Sequence, residues 1–99
     1  MAANLIIAPE AAEDISEAFD WYEVRRVGLG EEFLGCVNAC IQGICRHPDI
    51  HPRVREDYRR ALVRRFPYAV LYEHADEGVT VYAVLHTSRD PEKWQQRLS

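Results

Sequence analysis

The chain is poor in several things at once. It carries one lysine, Lys93, so a lysine Schiff base or a lysine-centred phosphate site rests on that residue alone. Its few glycines form no phosphate-cradling loop; Gly28 and Gly30 match no nucleotide motif. No apolar run approaches the roughly 20 residues of a membrane helix. The short run Leu5-Ile6-Ile7-Ala8 lacks the flanks of a signal peptide. Three cysteines, an odd number crowded between Cys36 and Cys45, do not make a disulfide framework and point to a reducing cytoplasm. Cys36 and Cys40 lie one helical turn apart, but zinc needs two further ligands and Cys45 faces elsewhere. No metal or cofactor is expected, and the cysteines read as small apolar fillers between helix and sheet.

What is present suits one globular domain spanning residues 1–99. Net charge is −4, which gives no overall attraction to nucleic acid. Its distribution is uneven. Residues 1–45 hold eight acidic and two basic side chains, whereas residues 46–72 hold seven arginines and three acids. Arginine suits forked contacts with phosphate or carboxylate, so the two faces suggest charged partners.

Residues 4–8 read as a strand ended by Pro9, which pre-sets entry to a helix. Ala11, Ile15, Ala18 or Phe19, and Tyr22 recur at helical spacing, opposed by an acidic stripe of Glu10, Glu13, Asp14, Glu17 and Asp20. Ile15, Phe19 and Tyr22 are expected in the core. A second helix over about residues 30–46 carries Phe33, Val37, Ile41 and Ile44, and Pro48 stops it. So short a link between two long helices predicts an antiparallel hairpin. Residues 53–59 have no assignment. Beyond them the period becomes two, giving strands over residues 60–66, 68–74 and 79–86, the last two apolar on both faces and therefore central. A short helix starting at Pro91, capped by Asp90, can follow. The order is β-α-α-β-β-β, an α+β fold with a helical hairpin packed on a small antiparallel-rich sheet.

Two clusters can carry function. Arg59, Arg60, Arg64 and Arg65 fall along the strand over residues 60–66; alternation puts Arg60 and Arg64 on one face and Arg65 on the other. Such charges also block edge-to-edge aggregation. At the end of the last strand, His86 is followed by Arg89, Asp90 and Trp94. A histidine, arginines and an aromatic can supply proton transfer, a phosphate clamp and a stacking platform for RNA, or simply a binding surface. His47, His51 and His74 read as solvated loop residues.

The helix start over residues 10–22, the junction Gly28-Leu29-Gly30-Glu31-Glu32-Phe33-Leu34, the run Arg59-Arg60-Ala61-Leu62-Val63-Arg64-Arg65-Phe66-Pro67-Tyr68, and Val84-Leu85-His86-Thr87-Ser88-Arg89-Asp90-Pro91 with Trp94 together resemble the RelE/ParE superfamily of toxins. These belong to type II toxin–antitoxin modules and are often described as plasmid stabilisation proteins. The resemblance covers nearly the whole chain and implies the same element order. It implies a cytoplasmic growth inhibitor neutralised in a hetero-oligomer by a cognate antitoxin encoded beside it, with no cofactor and no membrane partner. RelE-like members cut mRNA on the ribosome; ParE-like members bind DNA gyrase and are not enzymes.

The ribonuclease branch tends to carry an arginine where this chain has Ala69, and lysines where residues 46–72 have none. His86-x-x-Arg89-Asp90 is closer to the ParE branch. The resemblance thus implies a gyrase inhibitor, with Arg64, Arg65, Arg89 and Trp94 as target contacts and Leu34 with the outer strip of the hairpin meeting the antitoxin. The alternatives are a ribosome-dependent endoribonuclease using His86, Arg65 and Arg89, and an inactive or repurposed partner-binding domain.

Overall fold

The computed structural model describes residues 4–89 and 91–97. Its elements are β1 (Asn4–Ile7), α1 (Pro9–Arg25), α2 (Leu29–Arg46), β2 (Arg53–Arg55), β3 (Tyr58–Leu62), β4 (Tyr68–Ala75), β5 (Gly78–His86) and α3 (Pro91–Arg97). The expected α+β order holds, with one further short strand, β2, inside the segment that had no assignment. Expected cap Asp90 lies outside the described residues.

Pro9 opens α1 with its fixed φ, and the following hairpin is tied at its tip by a carboxylate. Glu23, near the end of α1, accepts the backbone N–H groups of Gly28 and Gly30, both at 2.9 Å. It thereby satisfies donors that the first turn of α2 cannot pair internally. Gly30 lets the helices close: a Cβ there would lie 2.7 Å from the Phe19 ring.

The five strands run in the order β1-β5-β4-β3-β2, with β1 parallel to β5 and the other pairs antiparallel. β4 and β5 are central, as their apolar runs require. On the helix side, Tyr22, Phe33, Phe66 and Tyr68 form an aromatic cluster with centroids 4.9–6.2 Å apart. Val37, Ile41, Ile44, Val70 and Tyr72 extend it. Each such fully buried side chain contributes roughly 1.5–3 kcal/mol. Of the expected core residues on α1, Tyr22 is buried, while Ile15 and Phe19 are half-buried. The three cysteines are free, half-buried and packed against this core, as expected of small fillers.

Two expectations need correction. Strict alternation along the last strand puts Val81 and Val84 on opposite faces, yet both belong to the helix-side core. Leu71 pairs with Ala83 and Tyr72 with Val81, so Tyr82 is an extra residue in a bulge, which reverses the parity. Ala83 and Leu85 therefore join Leu71 on the other face, covered by Trp94. The strand expected over residues 60–66 is β3, which begins earlier and ends at Leu62. The chain turns there because Val63 N–H bonds to Tyr68 O, Tyr68 N–H bonds to Phe66 O, and Arg65 adopts a φ of 72°.

Candidate functional site

β1 covers only the first half of β5, pairing with Gly78 to Val81. Ala8 N–H reaches Val81 O, and beyond that point the edge of β5 is closed by side chains. The Asp14 carboxylate accepts the Val84 N–H at 3.0 Å. Arg97 of α3 grips the same carboxylate with two bonds of 2.7 and 2.8 Å and reaches Tyr82 O at 3.4 Å. Trp94 Nε1 donates to His86 O at 3.0 Å. Asp14 was expected on the solvated acidic stripe but is buried. The reason is legible afterwards: Ala11, Asp14, Ala18 and Tyr22, spaced three and four apart, are the buried stripe of α1.

Beside this closed edge lies a cleft of about 160 Å³, lined by Glu17, Trp21, Tyr68, His86, Arg89 and Lys93 among others. His86 ends β5 and sits edge-on to Tyr68, with centroids 5.3 Å apart. Its Nδ1 accepts the backbone N–H groups of Ser88 and Arg89, both at 3.1 Å. A ring nitrogen that receives N–H donors is using its lone pair, so the ring proton resides on Nε2. Arg89 donates to the Tyr68 hydroxyl at 3.3 Å, and its guanidinium stands 5.4 Å from the Trp21 ring. Arg25 lies over that ring at 3.3 Å while donating to Trp21 O. Burial, with Tyr68 nearby, pushes the Tyr22 phenol up; Arg89 opposes this.

Arg64 and Arg65 stand elsewhere. Arg65 donates to Glu32 at 2.7 Å, and Arg26 meets the same carboxylate at 3.2 Å. The Arg65 bond is the main reason Glu32 is held below the usual carboxylate range. This pair is exposed and its worth to the fold is small. Arg64 lines a larger groove of about 480 Å³ along α2, with Cys36, Cys40, Arg46, His51 and Leu62. Thus Arg89 and Trp94 gather around His86, while Arg64 and Arg65 lie beside α2. The opposite strand faces that alternation gave Arg64 and Arg65 do not exist, because β3 ends before either arginine. Trp21 and Arg25 join the His86 group without having been anticipated; an exposed tryptophan four residues before an arginine was the available signal.

Of the histidines expected to be solvated, His47 is exposed, while His51 and His74 have side-chain partners. His51 is half-buried beside Tyr72, and burial, aided by Arg59, lowers its pKa. His74 meets Asp49 at 3.3 Å. Among the described residues no three His, Cys, Asp or Glu side chains are placed to hold a metal ion, and no helix is long and apolar enough to cross a membrane.

Residues 5–91 match the family described as the ParE toxin of the type II toxin–antitoxin system, parDE. The chain belongs to the ParE toxin family. It is 25% identical over 100 residues to toxin ParE2 of Mycobacterium tuberculosis, in both the CDC 1551 / Oshkosh and H37Rv strains, covering 100% of this chain and 95% of the relative. A solved chain of the chromosomal ParDE TA system from P. aeruginosa shares the fold with a TM-score of 0.66 at 15% identity, over 88% of this chain and 98% of that one.

Proposed function

We propose that this ParE-family toxin is held inactive by a cognate antitoxin and, when released, arrests growth by binding DNA gyrase rather than by cutting RNA. The observation that carries the second half is the state of His86. Attack by a ribose 2′-hydroxyl needs a proton acceptor and a donor near the scissile phosphate. The Nδ1 lone pair of His86 is committed to two backbone N–H groups, so taking a proton there breaks the turn that positions Arg89. The histidine serves as a brace for that turn. Residues 46–72 also offer no lysine for charge stabilisation.

In this reading Arg89, with Trp21 and Arg25 beside it, presents cationic and aromatic surface to the target. Trp94 holds α3 in place, and Arg64 and Arg65 extend the contact along α2. Because Arg64 also lines the α2 groove, an antitoxin seated there covers part of the target surface, which accounts for neutralisation.

The test adds purified protein to gyrase supercoiling and ribosome-dependent mRNA cleavage in parallel. Inhibition of supercoiling alone is the expected result, weakened in folded His86→Ala protein because the turn that positions Arg89 loses its brace. Codon-spaced cuts that vanish in His86→Ala protein would replace this reading with the ribonuclease one. Absence of growth arrest on expression without the antitoxin would leave only a partner-binding domain.

A further inference from the structure

Two cations meet on the exposed ring of Trp21. The Arg25 guanidinium lies 3.3 Å from the ring centroid and that of Arg89 lies 5.4 Å from it. Each is also tied by one hydrogen bond: Arg25 donates to Trp21 O at 2.8 Å and Arg89 to the Tyr68 hydroxyl at 3.3 Å. The ring itself stands edge-on to Tyr22, with centroids 5.0 Å apart. Like charges gathered on one ring repel each other, and the face of an indole offsets that only in part. Elsewhere the chain answers such charges with acids: Glu32 meets Arg26 and Arg65, and Asp14 meets Arg97. Among the described residues Arg25 and Arg89 have no carboxylate partner, and neither has Lys93, which lines the cleft with Arg89.

The surroundings say which anion fits. The cleft, at about 160 Å³, is on the scale of one side chain. Of the acids nearby, Asp14 is gripped by Arg97, and Glu23 accepts the N–H groups of Gly28 and Gly30. Glu17 lines the cleft, and with Glu13 and Asp20, at steps of four and three, it forms an exposed acidic row along α1. A run of phosphates laid over this surface would meet those carboxylates one after another, on a chain whose net charge is already −4. A single carboxylate reaches the guanidiniums without following the row, and its planar oxygens match their forked donors. Basic residues around that carboxylate would meet Glu13, Glu17 and Asp20.

We propose that Arg25 and Arg89, held in place by Trp21, clasp an acidic side chain of the target protein that stands among basic residues. This rests on the gyrase reading above and adds the chemistry of the contact. Trp21 is a positioning residue: its ring holds both guanidiniums and leaves their remaining N–H donors to the carboxylate. Two long side chains ordered before the partner arrives need not be ordered by it, which strengthens binding.

The experiment measures affinity of the full chain for gyrase holoenzyme and, separately, for a short DNA duplex, together with thermal midpoints. Arg25→Ala, Arg89→Ala and Trp21→Leu are each expected to bind gyrase at least about tenfold more weakly, with midpoints near wild type. Trp21→Phe, which keeps an aromatic face, is expected to fall between wild type and Trp21→Leu. Arg53→Ala, an equal loss of charge on exposed β2, is expected to bind as wild type does. Because Trp21 acts through the arginines, Trp21→Leu is expected to cost less than about twofold once both are alanine; a full additive loss there would overturn its positioning role. Wild-type affinity in both arginine variants would overturn the proposal while leaving the gyrase reading intact. A wild-type chain that fails to bind gyrase would overturn both. Binding to the DNA duplex that is abolished when both arginines are alanine would make a nucleic acid the occupant and overturn the acidic side chain.

Discussion

Replacing Arg97 by alanine exposes how much one side chain at the end of α3 holds. The Asp14 carboxylate that Arg97 grips is 5% exposed, and Arg97 itself is 23% exposed. Removing one partner of a buried ion pair typically costs about 3–5 kcal/mol, because the other charge is left without compensation. Two features reduce that here. Arg97 is nearly a quarter exposed, so water reaches the carboxylate once the guanidinium leaves, and the Val84 N–H continues to bond to it. A cost of about 2–3 kcal/mol is therefore expected. For a domain of this size each 1 kcal/mol lowers the midpoint by about 4–8 °C, giving a fall of roughly 10–20 °C. Heat and urea denaturation of Arg97→Ala, Asp14→Asn and the double variant measure the coupling. Arg97→Lys separates charge from geometry: it keeps the cation and loses the fork, so it should fall between wild type and alanine. Stability of Arg97→Ala within about 0.5 kcal/mol of wild type, the usual range for surface changes, would refute the reasoning. So would strict additivity of the two single variants.

Two further outcomes follow from the sheet and its hydrogen bonds. Gly78 has a φ of 148°, and a Cβ there would fall on the carbonyl of Asn4 in the adjoining strand. Gly78→Ala should therefore cost about 2–4 kcal/mol and raise amide exchange across β1; unchanged exchange there would contradict it. The Tyr72 hydroxyl donates to Pro48 O at 2.7 Å, and burial pushes its pKa up to about 12 from an ordinary 10. A folded-state value above the unfolded one means this contribution is whole below pH 10 and is lost as pH rises from 10 towards 12. Tyr22 and Tyr82 shift in the same direction. Two units correspond to at most about 3 kcal/mol from Tyr72. Tyr72→Phe should lose about 1 kcal/mol at neutral pH and show a shallower alkaline decline; an identical decline would count against the assignment.

The helical hairpin and the two central strands were readable because their signals are local and repetitive. Phe33, Val37, Ile41 and Ile44 recur at helical spacing whatever they pack against. The runs through Val70–Leu71 and Val81–Leu85 mark strands covered on both faces. The bulge at Tyr82 was not readable, since one extra residue in a strand changes no composition, only parity. The end of β3 at Leu62 was hidden for a related reason. Residues 60–66 alternate plausibly, but Leu62 is the last residue of that strand to find a partner, Ala69, on β4. His86 and Arg89 were visible as a pair, while the turn that commits Nδ1 depends on backbone geometry.

By itself, the order and spacing of residues determined the layer architecture, the placement of both helices and the concentration of arginine in one segment. Burial of apolar side chains decides these, and its pattern is written in periods of 3.6 and 2. The tertiary structure alone decided which arginines meet. It seated Arg97 on Asp14 across 83 positions, divided Arg64 and Arg65 from Arg89, and opened a groove along α2. Charged contacts form wherever the packed chain brings their ends together, and that distance is a property of the fold rather than of any neighbouring residues.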